Sequence, residues 1–85
     1  MTDLEIYIQI LLDWEFVFDL KDIQNDLIIY KYYSEKYDEY VYLYINYNVE
    51  YNYINKIYIF QEKEIFDKDI FLKNLNKEFK KRRLL

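Results

Sequence analysis

The chain has 85 residues, of which 53% are hydrophobic and 22% aromatic, and it carries a formal net charge of −4. That length allows a single domain, residues 1–85, and that apolar content excludes a disordered chain. The absence of cysteine excludes disulfides and thiolate metal sites, so packed Ile, Leu, Phe and Tyr must hold the fold.

The opening stretch, "TDLEIYIQILLDW", places Thr2 three residues before Glu5. That is a capping box, in which each side chain satisfies an exposed amide at a helix start. Leu4, Ile8, Leu11 and Leu12 follow at helical spacing, which predicts a first helix over residues 2–13. "EFVFDL" then changes the period to two. It predicts a strand over 15–20, with Phe16, Phe18 and Leu20 on one face and Glu15, Val17 and Asp19 on the other. "KDIQND" supplies a polar turn, "LIIYKYY" a β-branched and aromatic strand, and "SEKYDE" the next turn.

The alternation is cleanest in "YVYLYINYNVEYNY". Val41, Leu43 and Ile45 point one way, and Tyr40, Tyr42 and Tyr44 the other. Asn46, Asn48, Asn52 and Asn55 mark a turn near 48–52. In a chain without glycine, Asn is the residue best able to take left-handed backbone angles there. "YINKIYIFQE" resumes the period of two, with Ile57 and Ile59 on the core face and Lys56, Tyr58 and Phe60 opposite. "FDKDIFLKNLNKEFKKRR" is helical again. Asp67 caps it, and Phe71, Leu72, Leu75 and Phe79 form its apolar stripe. Lys80, Lys81, Arg82 and Arg83 fill the last turn, where cations suit the helix dipole.

The predicted fold class is therefore α+β: a small two-layer domain with an N-terminal helix, an antiparallel meander of three to four strands and a C-terminal helix. Ala, Gly, Pro, His and Cys are all missing, while Ile, Asn, Lys, Tyr and Phe abound. This is the usage of a very AT-rich gene, as in a phage, virus or low-GC bacterium. Such drift accounts for part of the tyrosine excess. It does not account for tyrosine alternating with aliphatic residues.

The amino terminus carries Asp3 and Glu5 and lacks the basic start of a signal peptide, and no apolar run is long enough to span a membrane. The expectation is a cytoplasmic protein, in the host cytoplasm if viral. Residues 1–66 balance to −8 and residues 67–85 to +4. An acidic body with a basic end disfavours non-specific nucleic-acid binding over most of the surface. The terminal "KKRRLL" reads as a helix end, or as a contact for a phosphate backbone or an acidic partner.

Catalytic chemistry has little to work with. There is no His and no Cys, Ser34 and Thr2 lack an imidazole base, and no glycine loop can cradle a phosphate. The expectation is no enzyme, no cofactor and no bound metal. The nearest approach to a catalytic motif is "QEKE". An acidic residue on one strand with E/Q-x-K on the next resembles the restriction-endonuclease-like nuclease signature. That resemblance would make Asp38 or Glu39, Gln61 and Lys63 the metal-holding and phosphate-facing residues. The alternative is a solvated strand end.

If both helices cover the aliphatic side of the sheet, Tyr40, Tyr42, Tyr44 and Tyr58 are left on its open side, with Tyr30 and Tyr32 as further candidates. Tyrosine offers a rigid apolar ring with a polar tip, which suits an interface. If instead one helix covers each face, the rings are core. Asp38 and Glu39, with the other turn carboxylates, would meet a basic partner surface or mimic phosphates. The resulting expectation is a non-enzymatic, protein-binding inhibitor that occludes a functional surface of a host or phage protein, possible also as a homodimer. In size and composition it is similar to small phage and viral inhibitors, including anti-CRISPR and anti-restriction proteins, and to immunity proteins and antitoxins. The alternative is a nucleic-acid-binding module that stacks bases on a tyrosine-rich sheet.

Overall fold

The computed structural model describes residues 1–85 as helix α1 (Asp3–Asp13), strands β1 (Val17–Asp22), β2 (Leu27–Ser34), β3 (Glu39–Asn48) and β4 (Tyr53–Gln61), and helix α2 (Lys68–Arg83). The strands form one open antiparallel sheet in the order β1-β2-β3-β4, so the small two-layer α+β domain is present with all four strands. The molecule measures 38 × 32 × 19 Å. The short dimension fits one sheet and one layer of helices, each about 10 Å across.

Local chemistry explains the ends of the elements. Thr2 Oγ1 accepts from the Glu5 amide at 3.2 Å, and the Glu5 carboxylate accepts from the Thr2 amide, which closes the capping box of α1. Asp67 caps α2 by accepting from the amides of Asp69 and Ile70. At the far end of α1 the chain turns back through Glu15, which holds a left-handed φ of 70°. The Phe16 amide reaches the Leu11 carbonyl at 2.8 Å and the Glu15 amide reaches that of Leu12 at 3.1 Å. This is a Schellman motif, in which glycine is the usual left-handed residue. It also moves the start of β1 to Val17, two residues later than the sequence pattern predicts.

A left-handed residue with a Cβ costs about 1–2 kcal/mol, and glycine returns part of that gain as unfolded-state entropy. Glu15→Gly is therefore expected to stabilise the domain by about 0.5–1 kcal/mol, measured as a shift of the urea midpoint at unchanged slope. A destabilised Glu15→Gly variant would contradict this account of the turn.

All three hairpin loops are built alike without glycine. Asp22, Ser34 and Asn48 each accept from the amide three residues on, at Asn25, Tyr37 and Tyr51. The next residue in each, Asp26, Asp38 and Asn52, takes a left-handed φ of 54°, 52° and 56°. In two loops a tyrosine hydroxyl closes the corner: Tyr33 donates to the Asp38 carboxylate, and Tyr47 to the Asn52 side-chain carbonyl.

Both helices pack on one face of the sheet. Ile6, Ile10 and Leu11 of α1, Phe16, Tyr30 of β2, Leu43 and Ile45 of β3, and Leu75 and Phe79 of α2 form the buried cluster. The helices are tied together by the stack of Tyr7 on Phe79 at 4.2 Å and by ion pairs from Arg82 to Asp13 at 2.8 Å and Arg83 to Asp3 at 3.9 Å. No helix is long and apolar enough to cross a membrane.

Two details of facing differ from the sequence reading. Tyr30 and Tyr32 lie opposite Leu43 and Val41, so they join the helix-covered side rather than the open one. A bulge between Phe18 and Leu20 sets Leu20 opposite Ile29, which turns it away from the face that Phe18 shares with Tyr30.

Candidate functional site

The face of the sheet away from the helices is lined by rings. Strand register places its residues in rows. Leu20, Ile29, Tyr44 and Tyr58 form one row across all four strands, and Val17, Lys31, Tyr42 and Phe60 form the next. Tyr33 and Tyr40 complete a third row at the edge of the β2–β3 turn. None of these side chains belongs to the buried cluster or to the residues packed on it.

The rings support one another. Tyr44 stacks on Tyr58 with centroids 4.9 Å apart and planes 7° from parallel. Tyr33 meets Tyr40 at 5.2 Å, and Tyr40 meets Tyr42 at 6.0 Å. Aromatic pairs in such arrangements are worth roughly 0.5–1.5 kcal/mol beyond their burial, so the face is ordered before anything docks on it. Two ammonium groups lie over rings of this face: Lys31 over Tyr40 and Lys56 over Tyr58, each 5.2 Å from the centroid. Lys31 also pairs with Asp19 at 3.3 Å.

The structure brings Tyr40, Tyr42, Tyr44 and Tyr58 together on this face and places Asp38 at its corner, where it accepts from Tyr33. Glu39 does not join them. It pairs with Ser34 and has the parity of Val41 and Leu43, so it starts the helix-covered side. Sequence reasoning missed Tyr33 as a member of the face. Counting outward from a four-residue loop at 35–38 would have set it opposite Tyr40. Phe60 lies on the side that its parity predicts, outside the four-tyrosine set expected from sequence, and is half exposed beside Tyr42.

The residues of the nuclease-like pattern are engaged in local structure. The Gln61 side-chain oxygen accepts from the amides of Ile65 and Phe66 at 3.1 Å each, and its nitrogen donates to the Phe66 carbonyl at 2.7 Å. Lys63 Nζ donates to the Tyr37 carbonyl at 3.3 Å. Gln61 thus shapes the link from β4 to α2, and Lys63 pins it to the β2–β3 turn.

Lysines without an ion-pair partner gather on one face of α2. Lys73, Lys77, Lys80 and Lys81 are exposed on α2 at i, i+4, i+7 and i+8, one face of a helix. No acidic side chain lies within ion-pair distance of them. The carboxylates of Asp22, Asp26, Glu35, Asp38 and Glu50 crowd the hairpin ends. An apolar cleft of about 360 Å³, lined by Trp14, Phe16, Tyr32, Phe66 and Phe71, opens at the margin of the core, but its rings are those that bind sheet to helices.

Tyrosine ionisation is perturbed at three places. Burial pushes Tyr30 up, and Tyr7 is raised by burial and then by the Asp3 carboxylate. Tyr33 is raised first by its hydrogen bond to Asp38. A folded state that holds these protons longer than the unfolded chain gains stability present below the ordinary tyrosine value of 10.0 and lost as pH rises through the folded values. Asp22 has the opposite sign. Its hydrogen bonds from Asn25 lower it, so its contribution is lost in acid. The melting temperature is expected to fall as pH rises above about 10, and thermal scans across that range check it. An unchanged melt there would contradict the assignment.

No family model, no curated protein and no solved structure matches this chain.

Proposed function

We propose that this chain is a non-catalytic protein-binding domain that docks through the open face of its sheet, and that it acts by covering a functional surface of its partner. One observation carries the reading: a two-layer fold leaves one sheet face without a covering layer, and that face is built from Tyr33, Tyr40, Tyr42, Tyr44, Tyr58 and Phe60. Exposed contiguous apolar patches on small proteins mark interaction sites. Tyrosine suits the role because its ring is held by few torsions and its hydroxyl tolerates water before docking. At 38 × 32 Å the sheet-side outline is large enough for the roughly 800 Å² per partner of a standard interface.

The charge distribution favours a basic partner surface, since carboxylates at the hairpin ends would steer it toward the sheet while the lysine stripe sits on the opposite layer. The same separation argues against a nucleic-acid platform, which needs cations beside its stacking rings. Lys31 and Lys56 are the cations on the face, and both already lie over rings. Small size and AT-rich usage fit the inhibitors of phages and mobile elements, whose targets are host proteins.

The test is affinity capture from host lysate with the wild-type chain and with a chain in which Tyr42 and Tyr44 are both replaced by threonine. A protein retained by the first and lost from the second supports the reading. Retention of nucleic acid that vanishes at moderate salt, with no protein retained, would replace it with the stacking-platform reading.

A further inference from the structure

Five rings meet at the margin of the core, each from a different segment. Trp14 follows the last turn of α1, Phe16 leads into β1, Tyr32 lies on β2, Phe66 in the link after β4 and Phe71 in α2. They do not form one flat stack. Trp14 meets Phe71 edge-on at 5.5 Å with planes 71° apart, and Phe16 is tilted 46° from Phe71 and 38° from Tyr32. The result is a concave aromatic wall around a cleft of about 360 Å³. Phe16, 1% exposed, lies deepest, while the other four rings are half-buried and keep part of their surface open. Because the same rings join the sheet to the helices, the wall has its shape before any ligand arrives.

The charge beside this wall has one sign. Glu15 and Asn74 are the polar residues lining the cleft, and no Lys or Arg lines it. Glu15 is exposed, and its carboxylate has no ion-pair partner. The cations that lie over rings in this chain lie over others: Tyr40, Tyr37, Tyr58 and Phe79. Ring faces attract cations, tryptophan most strongly, and a carboxylate beside them adds Coulomb attraction. A neutral apolar ligand gains nothing from Glu15, and an anion is repelled by it. An ordinary ammonium is compact and strongly hydrated, so it loses much on leaving water. An ammonium whose protons are replaced by methyl groups has both the charge and the apolar surface that the cleft can use. At about 360 Å³ the cleft falls at the lower end of the roughly 300–1,000 Å³ of small-ligand sites, which suits a compact head group.

We infer that this cleft is a binding site for a methylated ammonium group, of the kind carried by a free choline-type molecule or by a trimethylated lysine side chain. The rings of Trp14, Tyr32, Phe66 and Phe71 pack on the methyl groups, and Glu15 balances the charge. The site shares no residue with the open face of the sheet and does not rest on the docking proposed for that face.

The test uses the full chain and its own reporter. Trp14 is the one tryptophan, so its fluorescence, excited beyond tyrosine absorption, reads this cleft and not the open face. Choline is titrated beside its neutral isostere, in which a tert-butyl group replaces the trimethylammonium, with sodium chloride as the ionic-strength control. Choline is expected to saturate with a dissociation constant on the order of 1 mM, and the neutral isostere to bind about fivefold more weakly or less. Acetylated trimethyllysine amide, titrated in the same way, tells a side-chain source from a free one by which of the two binds more tightly. Glu15→Gln is expected to raise the choline constant about threefold and to leave the neutral isostere unchanged. Asn74→Lys, which sets a cation at the cleft, should raise the choline constant further. Both positions are exposed, and circular dichroism melts establish that each variant folds. A wild-type chain whose Trp14 shows no saturable response to either ammonium overturns the proposal. So does a neutral isostere that binds as tightly as choline, or choline binding indifferent to both substitutions.

Discussion

Replacing Tyr42 and Tyr44 together with threonine is expected to leave a folded domain that no longer holds its partner. Both tyrosines stand on the central strand β3, half buried, on the side away from the helices. Threonine keeps the β-branched preference of a strand position, so the backbone register should survive. The loss is partial burial of two rings and the stack of Tyr44 on Tyr58, together about 2–3 kcal/mol of stability. Central aromatic anchors of an interface commonly cost 2 kcal/mol or more each when truncated, so affinity should fall by roughly a thousandfold. A thermal melt and a binding assay on the same variant separate the two effects. A cooperative melt with unchanged affinity would remove the face from the proposed function. Loss of the melt itself would mean that the rings serve packing.

The other large effect is predicted on the far side of the sheet. Phe16→Ala should cost roughly 3–5 kcal/mol, a large share of what a domain stabilised by about 0.05–0.15 kcal/mol per residue has to lose. Phe16 is 1% exposed and meets Tyr32 at 5.5 Å and Phe71 at 5.8 Å. It also supplies the amide that closes α1 on the Leu11 carbonyl. It therefore joins a helix end, the sheet and α2 at one point. Urea unfolding measures the loss. Phe60→Ala is the control: at 50% exposed on the open side, Phe60 should cost about 1 kcal/mol or less. Equal losses at the two positions would contradict the assignment of core and open faces.

The sequence alone reveals much of the scaffold because several signals act locally. The Thr2–Glu5 capping box, the Asp67 cap and the alternation of Val41, Leu43 and Ile45 with tyrosine each depend on neighbours a few residues away. The facing of β2 was not legible. "LIIYKYY" carries large apolar residues at both parities, and only its register against β3 assigns Tyr30 and Tyr32 to the core and Ile29 and Tyr33 to the open side. The bulge that turns Leu20 leaves no mark in a two-residue period. The shifted start of β1 follows from Glu15, a residue type that gives no warning of a left-handed angle. The repeated loop pattern was open to inspection, since Asp, Ser or Asn is followed four residues later by Asp or Asn in each turn. Without glycine, the pattern is indistinguishable from ordinary polar sequence. For the candidate site, the four tyrosines of β3 and β4 were readable from parity, whereas the separation of Glu39 from Asp38 needed the turn geometry between them.

The ion pair between Asp3 and Arg83 brings the two ends of the chain into one corner of the helix layer, on the side opposite the rings. A short flexible linker would therefore join residue 85 to residue 1 without crossing the sheet, and new ends could be opened at the exposed 49–52 hairpin tip. A circularly permuted chain of that kind should keep the same core. For the same reason, a label, tether or second domain attached at residue 1 or residue 85 would hang behind the sheet. Surface-immobilised protein would then present its tyrosines outward, and a bulky fusion at one end would crowd a fusion at the other, because both ends share that corner.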